Sequence, residues 1–327
     1  MTELLSVNDL EVSFHTEAGV IPAVAGVSFS LKKGEIRCLV GESGCGKSVT
    51  ALSLLRLIPS PPGRIAAGSI RWKGRDLLTQ SYSEIVALRG REIGFIFQEP
   101  LTSFNPVQPI GKQLAEVLLI KHEVTKAEAR EVVLEKLQRV GLSDPERQYQ
   151  AYPHELSGGM RQRAMIAMAL MGRPELLIAD EPTTALDVTI QAQILDLLKE
   201  LQAEYGLSVL LITHNLGIVA ETAHDVSVMY CGKIVEQAPV RELFNNPSHP
   251  YTQGLLASVP KLSTTDKLQA IPGMIPDLLQ LPSGCYFAPR CQHAMDRCRQ
   301  QYPETITLAD GHQVSCWLYG KGNLGES

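Results

Sequence analysis

The chain has 327 residues, 44% of them hydrophobic and 20% charged, with a net charge of −5. That length holds one large or two ordinary domains, and that balance belongs to a globular protein with a sizeable core. The mild acidic excess, without a long basic run, excludes a nucleic-acid groove as the organising feature, and apolar runs such as Val209 to Ile212 fall far short of the roughly 20 residues of a membrane-spanning helix.

The start, Met1-Thr2-Glu3-Leu4-Leu5, lacks an export signal, so the chain is expected to stay in the cytoplasm, where its seven cysteines remain reduced. Ile36 to Val40 reads as a buried strand running into Gly41-Glu42-Ser43-Gly44-Cys45-Gly46-Lys47-Ser48, which fits the P-loop pattern G-x-x-x-x-G-K-[ST]. Glycines let backbone amides turn inward around phosphate oxygens, and the helix that follows adds positive potential at its N-terminus. Lys47 is expected to reach the β- and γ-phosphates and Ser48 to ligate Mg²⁺, with Gly41, Ser43, Gly44, Cys45, Gly46 and Val49 completing the nucleotide contacts. Cys45 lies ahead of that helix and near Lys47, both of which favour the thiolate, so ready alkylation is one expectation. Plain filling of the position is the other.

From 110 to 141 the period turns helical: Thr125 and Glu128 form a capping box, Val133, Leu137 and Val140 share a face, and Gly141 is the stop. At Leu156-Ser157-Gly158-Gly159-Met160-Arg161-Gln162 a serine and two glycines open another helix, as a plain N-cap or as a second anion site. Two phosphate-binding helix starts for one triphosphate imply that the second serves a nucleotide held by another subunit, in a head-to-tail pair. The strand Leu176 to Ala179 delivers Asp180 and Glu181 to its carboxyl end, where open α/β sheets bind ligands. Asp180 is expected to help hold Mg²⁺ and Glu181 to polarise the attacking water. A further helix carries Ile190, Ile194, Leu197, Leu198 and Leu201 on one stripe and ends at Gly206, and the strand Val209 to Thr213 ends in His214. Alternating strands and helices of this kind predict an α/β fold with a largely parallel sheet. After about 245 prolines become frequent, so a boundary is placed near 255, with a small domain over 256–327. It holds Cys285, Cys291, Cys298 and Cys316, which lack the tight C-x₂₋₄-C pair of common zinc sites. An iron–sulfur cluster, zinc and four unlinked thiols are the readings open to them.

Together these motifs resemble the ATPase domain of ABC transporters over residues 1 to about 255. Leu156 to Gln162 matches the family signature, Gln98 after Ile96-Phe97 the Q-loop glutamine, Ala185-Leu186-Asp187 the D-loop, His214 the switch histidine and Phe14 the aromatic that stacks on adenine. The resemblance implies a RecA-like core with an antiparallel β subdomain and a helical subdomain over about 100–165. It also implies catalytic roles for Glu181, His214 and Gln98, Mg²⁺ contacts from Ser48, Gln98 and Asp180, and nucleotide contacts from Ser157, Gly158, Gly159 and Asp187. Gln98 to Pro106, Asp180 to Thr189, His249-Pro250-Tyr251-Thr252 and the region from Pro282 to Trp317 are similar to the dipeptide/oligopeptide/nickel group of bacterial importers, nearest the first ATPase of dipeptide-type systems. Cys45, Phe104 and Asn215 depart from that group's usual serine, leucine and aspartate.

That narrower likeness implies an ATP-hydrolysing importer subunit at the cytoplasmic face of the bacterial inner membrane. Its partners would be a related but non-identical ATPase, two membrane-spanning permeases and, indirectly, an external solute-binding protein, with no nucleic acid. It further implies a four-iron [4Fe–4S] cluster on Cys285, Cys291, Cys298 and Cys316. The rival class, a soluble ABC-type ATPase acting on DNA or ribosomes, calls for a coiled-coil array or a second ATPase domain. Between Lys47 and Leu156 there is no such heptad array, and the chain carries a single P-loop set. A regulatory nucleotide-binding protein without turnover is opposed by the presence of Glu181 and His214.

Overall fold

A computed structural model describes residues 3–121, 124–184, 186–259, 270–308 and 311–319. The chain divides into two compact units. One gathers Glu3–Leu31, Ile36–Leu78 and the residues from Thr213 onward; the other gathers Lys32–Glu35 and Thr79–Ile212.

The first unit contains an antiparallel sheet with spatial order Gly19–Lys32, Glu3–Thr16, Gly63–Trp72 and Arg75–Asp76. Its register sets Leu5 opposite Trp72 and Val7 opposite Ile70, so buried apolar side chains face one another across the strands. Between Asn8 and Glu11 the register slips, where Asp9 adopts a left-handed φ of 48°, as a bulge requires. The same unit pairs Ile36–Val40 in parallel with Asp225–Tyr230. From there the sheet continues antiparallel through Lys233–Pro239, Gln313–Val314 and Ile306–Thr307. The C-terminal segment thus adds two short strands beside Lys233–Pro239, and the expected boundary near 255 falls within the helix Pro250–Ala257.

In the second unit Ile93–Ile96, Leu176–Asp180 and Ser208–Thr213 run parallel. Every residue of all three strands is buried, the near-continuous apolar run of a sheet covered on both faces. Local signals set the helix ends. Thr125 N donates to Glu128 Oε2 at 2.7 Å and Glu128 N donates to Thr125 Oγ1 at 3.3 Å, starting Lys126–Arg139; Gly141, at φ 78°, follows its end. Val188–Tyr205 begins two residues before its apolar stripe and stops at Gly206 with φ 64°. The α/β expectation holds. No helix among the described residues is long and apolar enough to cross a membrane.

Candidate functional site

In the first unit the loop after Ile36–Val40 is shaped by two close approaches. A Cβ on Gly41, at φ 153°, would lie 2.2 Å from Met229 O; one on Gly46, at φ 103°, would lie 2.3 Å from Ala23 O. Only glycine lets the loop lie this near its neighbours. Ser43 and Gly44 form its exposed rim, and Val49 is half-buried. The helix Lys47–Leu54 starts at Gly46, which has no side chain to cap it. Lys47 is 4% exposed, and its Nζ donates to Gly41 O at 2.9 Å and Glu42 O at 3.0 Å.

Cys45 is 3% exposed, and burial raises its pKa despite Lys47 Nζ 3.8 Å from its sulfur. Desolvation outweighs the lysine, so the expectation of a reactive thiolate is corrected: Cys45 fills space beneath Gly41. Glu42 is held on two sides by residues far along the chain. Its amide donates to Tyr251 Oη at 2.9 Å, and its carboxylate accepts from Arg290 Nη1 at 2.7 Å and Nη2 at 3.0 Å.

Phe14, half-buried, stands opposite Gly63. His214 is exposed, directly after Thr213. Asn215 Oδ1 accepts from Gly217 N at 2.9 Å and Ile218 N at 3.4 Å, so the departure from aspartate keeps the helix cap.

In the second unit Asp180 is 4% exposed at its strand end, and Glu181 takes a left-handed φ of 46°, uncommon for a residue with a Cβ. Glu181 N donates to Ile212 O at 2.9 Å, pinning that turn. Its Oε2 accepts from Gln98 Nε2 at 3.3 Å and from Thr184 Oγ1 at 2.7 Å. The Gln98–Glu181 pair joins two sequence-identified residues. Thr184 was missed, because a threonine three residues on carries no signal of its own. Ser157 Oγ accepts from Met160 N at 3.3 Å and so caps Gly158–Ala169. A Cβ on Gly159 would lie 2.8 Å from Ile190 Cγ2, a packing reason for that glycine. Asp187 Oδ1 accepts from Ile190 N at 2.9 Å and so caps the next helix. Ala185, in the expected D-loop, lies outside the described residues.

Cys285, Cys291, Cys298 and Cys316 do line one cavity, with His249 and His293, but its volume is about 20 Å³. That admits about one water, not a cluster of four irons and four sulfides. Cys298 packs with Ala288 and Trp317, and Cys285 and Met295 pack against them. Burial pushes the Cys285 thiol up to about 11 and Cys316 to about 12, and raises Cys291. Among the described residues no group of three or more His, Cys, Asp or Glu is arranged to hold a metal ion. The [4Fe–4S] expectation is therefore corrected: these cysteines line a small cavity and pack against their apolar neighbours.

Residues 24–184 match the ABC transporter family, and residues 235–298 match the oligopeptide/dipeptide transporter C-terminal region. Glu42 lies in the first span and Arg290 in the second. The chain is 52% identical over 320 residues to the oligopeptide transport ATP-binding protein AppD of Bacillus subtilis, covering 98% of each. It is 50% identical over 319 residues to the dipeptide transport ATP-binding protein DppD of the same organism, covering 97% of this chain and 95% of that one. Among solved structures it is similar to the dimeric ATP-binding cassette MJ0796 in a post-hydrolysis state bound to ADP and Pi. That likeness has a TM-score of 0.66 at 26% identity and covers 73% of this chain and 99% of that chain.

Proposed function

Since the chain belongs to the ATP-binding proteins of ABC transporters and is an ATP hydrolase, we propose that it powers a bacterial importer of peptides or related small solutes. The observation that carries this reading is the P-loop, with Lys47 folded into it, joined in one chain to a peptide-transporter C-terminal region. In this reading residues 1–255 form the nucleotide-binding module, with its helical subdomain over about 100–165, and 256–327 serve assembly.

Gly41, Ser43, Gly44, Cys45, Gly46, Lys47, Ser48 and Val49 hold the phosphates, and Phe14 stacks on the adenine. Ser48, Gln98 and Asp180 offer hydroxyl, amide and carboxylate oxygens, the hard donors that suit Mg²⁺. When bound, that ion offsets charge on the β- and γ-phosphates. Glu181 orients the attacking water and accepts its proton; Gln98 and Thr184, both neutral donors, aim the carboxylate without cancelling its charge. His214 supports the γ-phosphate. Ser157, Gly158, Gly159 and Asp187 face a nucleotide held by a second, related ATPase subunit. Two permeases and an external solute-binding protein complete the system, with this chain peripheral on the cytoplasmic face of the inner membrane.

Reconstituting the chain with its permeases and partner ATPase in proteoliposomes tests the reading. ATP hydrolysis is expected to rise when the solute-binding protein and peptide are added, and to vanish with Glu181→Gln. Full, peptide-independent turnover by a demonstrated monomer overturns it.

A further inference from the structure

We propose that Arg290 is a positioning residue of the nucleotide site, holding the Glu42 carboxylate out of the phosphate loop so that the C-terminal segment sets nucleotide affinity. This rests on the reading of residues 41–48 as the phosphate-binding loop. Glu42 is gripped at each of its polar groups: the carboxylate by both terminal nitrogens of Arg290, the amide by Tyr251 Oη, and the carbonyl by Lys47 Nζ. An unbroken polar chain therefore runs from Arg290 through Glu42 to the P-loop lysine.

Arg290 has little freedom of its own. Its side chain is 4% exposed, and Nε donates to Pro272 O at 3.0 Å. Nη1 also donates to Tyr230 Oη at 3.4 Å, and the guanidinium lies 5.8 Å from the Tyr230 ring and 5.9 Å from the Phe287 ring. Phe287 in turn packs against the rings of Tyr230, Tyr251 and His249, so the residues that fix Arg290 and the residue that fixes the Glu42 amide form one aromatic cluster. Paired, planar donors on a carboxylate set its direction as well as its charge balance.

The physical consequence concerns the ligand. A triphosphate brings several negative charges to a loop that contains a carboxylate. With Arg290 in place that carboxylate is neutralised and turned toward the C-terminal segment. Without it, a partly buried negative charge is free to swing into the phosphate path, where it repels the ligand and competes for Lys47. The loss therefore falls on binding, and removing the charge of Glu42 should reverse it.

The test is a charge cycle on the full-length protein, reading MgATP affinity by titration calorimetry and the nucleotide-free melting temperature in parallel. Arg290→Met is expected to weaken MgATP binding by about tenfold or more, the scale of a lost charged hydrogen-bonding partner. Glu42→Gln alone should cost less than about threefold, and the double variant should bind within about threefold of the parent, because the offending charge is gone. Should Arg290→Met not fold, Arg290→Lys, which keeps the charge and loses the paired geometry, must still weaken binding a few-fold. Parental affinity in Arg290→Met, or in Arg290→Lys where that is the variant read, overturns the proposal. So does a double variant no better than Arg290→Met, the result of a merely structural contact. Lys47→Ala separates the two levels. If it also leaves MgATP binding unchanged, the proposed phosphate loop is wrong; if it loses binding while Arg290→Met does not, only the role of Arg290 fails.

Discussion

Glu42 and Glu181 each stand just past the carboxyl end of a parallel strand, and the donors described on them differ in charge. Glu42 meets a guanidinium that binds both carboxylate oxygens. Glu181 meets an amide and a hydroxyl on one oxygen. An ion pair cancels charge and fixes a carboxylate; neutral donors fix it and leave the charge to act. The first arrangement suits a residue that must stay out of the way of phosphate, and the second suits one that must take a proton. In the proposed roles the same side chain serves structure at one strand end and chemistry at the other.

The widest separation between the two comes from one substitution made twice. Glu181→Gln should lower kcat by about 10²–10⁴, the usual contribution of a positioned base, with MgATP affinity kept. Glu42→Gln should leave kcat near parental. Steady-state ATPase assays with the assembled transporter decide it, and equal losses in the two variants erase the contrast.

Acid should then strike the Glu42 side selectively. His249 is fully buried, its Nδ1 accepts from Tyr251 N at 3.0 Å, and burial pushes its pKa from 6.5 down to about 3. It caps the helix Pro250–Ala257, which carries the tyrosine that holds Glu42. Because the folded pKa is depressed, the unfolded chain takes up the proton first. The stability contributed by neutral His249 is complete above about pH 6.5 and drains away toward about pH 3, at roughly 1.4 kcal/mol per pH unit. Denaturant melts across that range should show this slope, and His249→Asn, which retains a capping oxygen, should flatten it. An unchanged slope in the asparagine variant removes His249 as the cause.

A smaller effect is expected at Thr184. Thr184→Val deletes a donor that aims Glu181 and should lower kcat by about tenfold, the scale of one hydrogen bond to a charged group. MgATP affinity should hold, since Thr184 is proposed to act on the base alone. A loss confined to affinity would mean that the hydroxyl serves the phosphate and not Glu181.

How much of this was legible in the residues depended on distance along the chain. The P-loop, the Thr125–Glu128 capping box and the Ser157 cap are local patterns, and they fold as read because backbone geometry over a few residues decides them. Gln98 and Glu181 were each legible as family motifs past the ends of neighbouring strands, but their contact was not. Arg290 was invisible: it lies 248 positions from Glu42, and no short-range pattern ties an arginine after Ala288-Pro289 to a loop near the start. The thiols misled for a related reason. Spacing suggests which cysteines could meet, but burial decides whether they ionise, and for Cys285 and Cys316 desolvation is the largest influence.

Cys45 supplies the smallest predicted change and the finest test of where the charge of Lys47 is directed. A thiolate at Cys45 would draw the ammonium toward sulfur. A neutral thiol leaves it to the carbonyls of Gly41 and Glu42, where its nitrogen is 2.9 and 3.0 Å away against 3.8 Å from the sulfur. The raised pKa of the buried thiol favours the second arrangement. Cys45→Ser replaces one small neutral group by another, so kcat and MgATP affinity should stay within about twofold and stability within about 1 kcal/mol. Iodoacetamide at neutral pH should modify Cys45 far more slowly than a model thiol, with or without MgATP, because both the thiolate fraction and access are low. Fast labelling blocked by nucleotide, together with a large loss in the serine variant, would place a thiolate in the loop. Lys47 would then be neutralising Cys45, and the polar chain from Arg290 through Glu42 would end one residue short of the phosphate site.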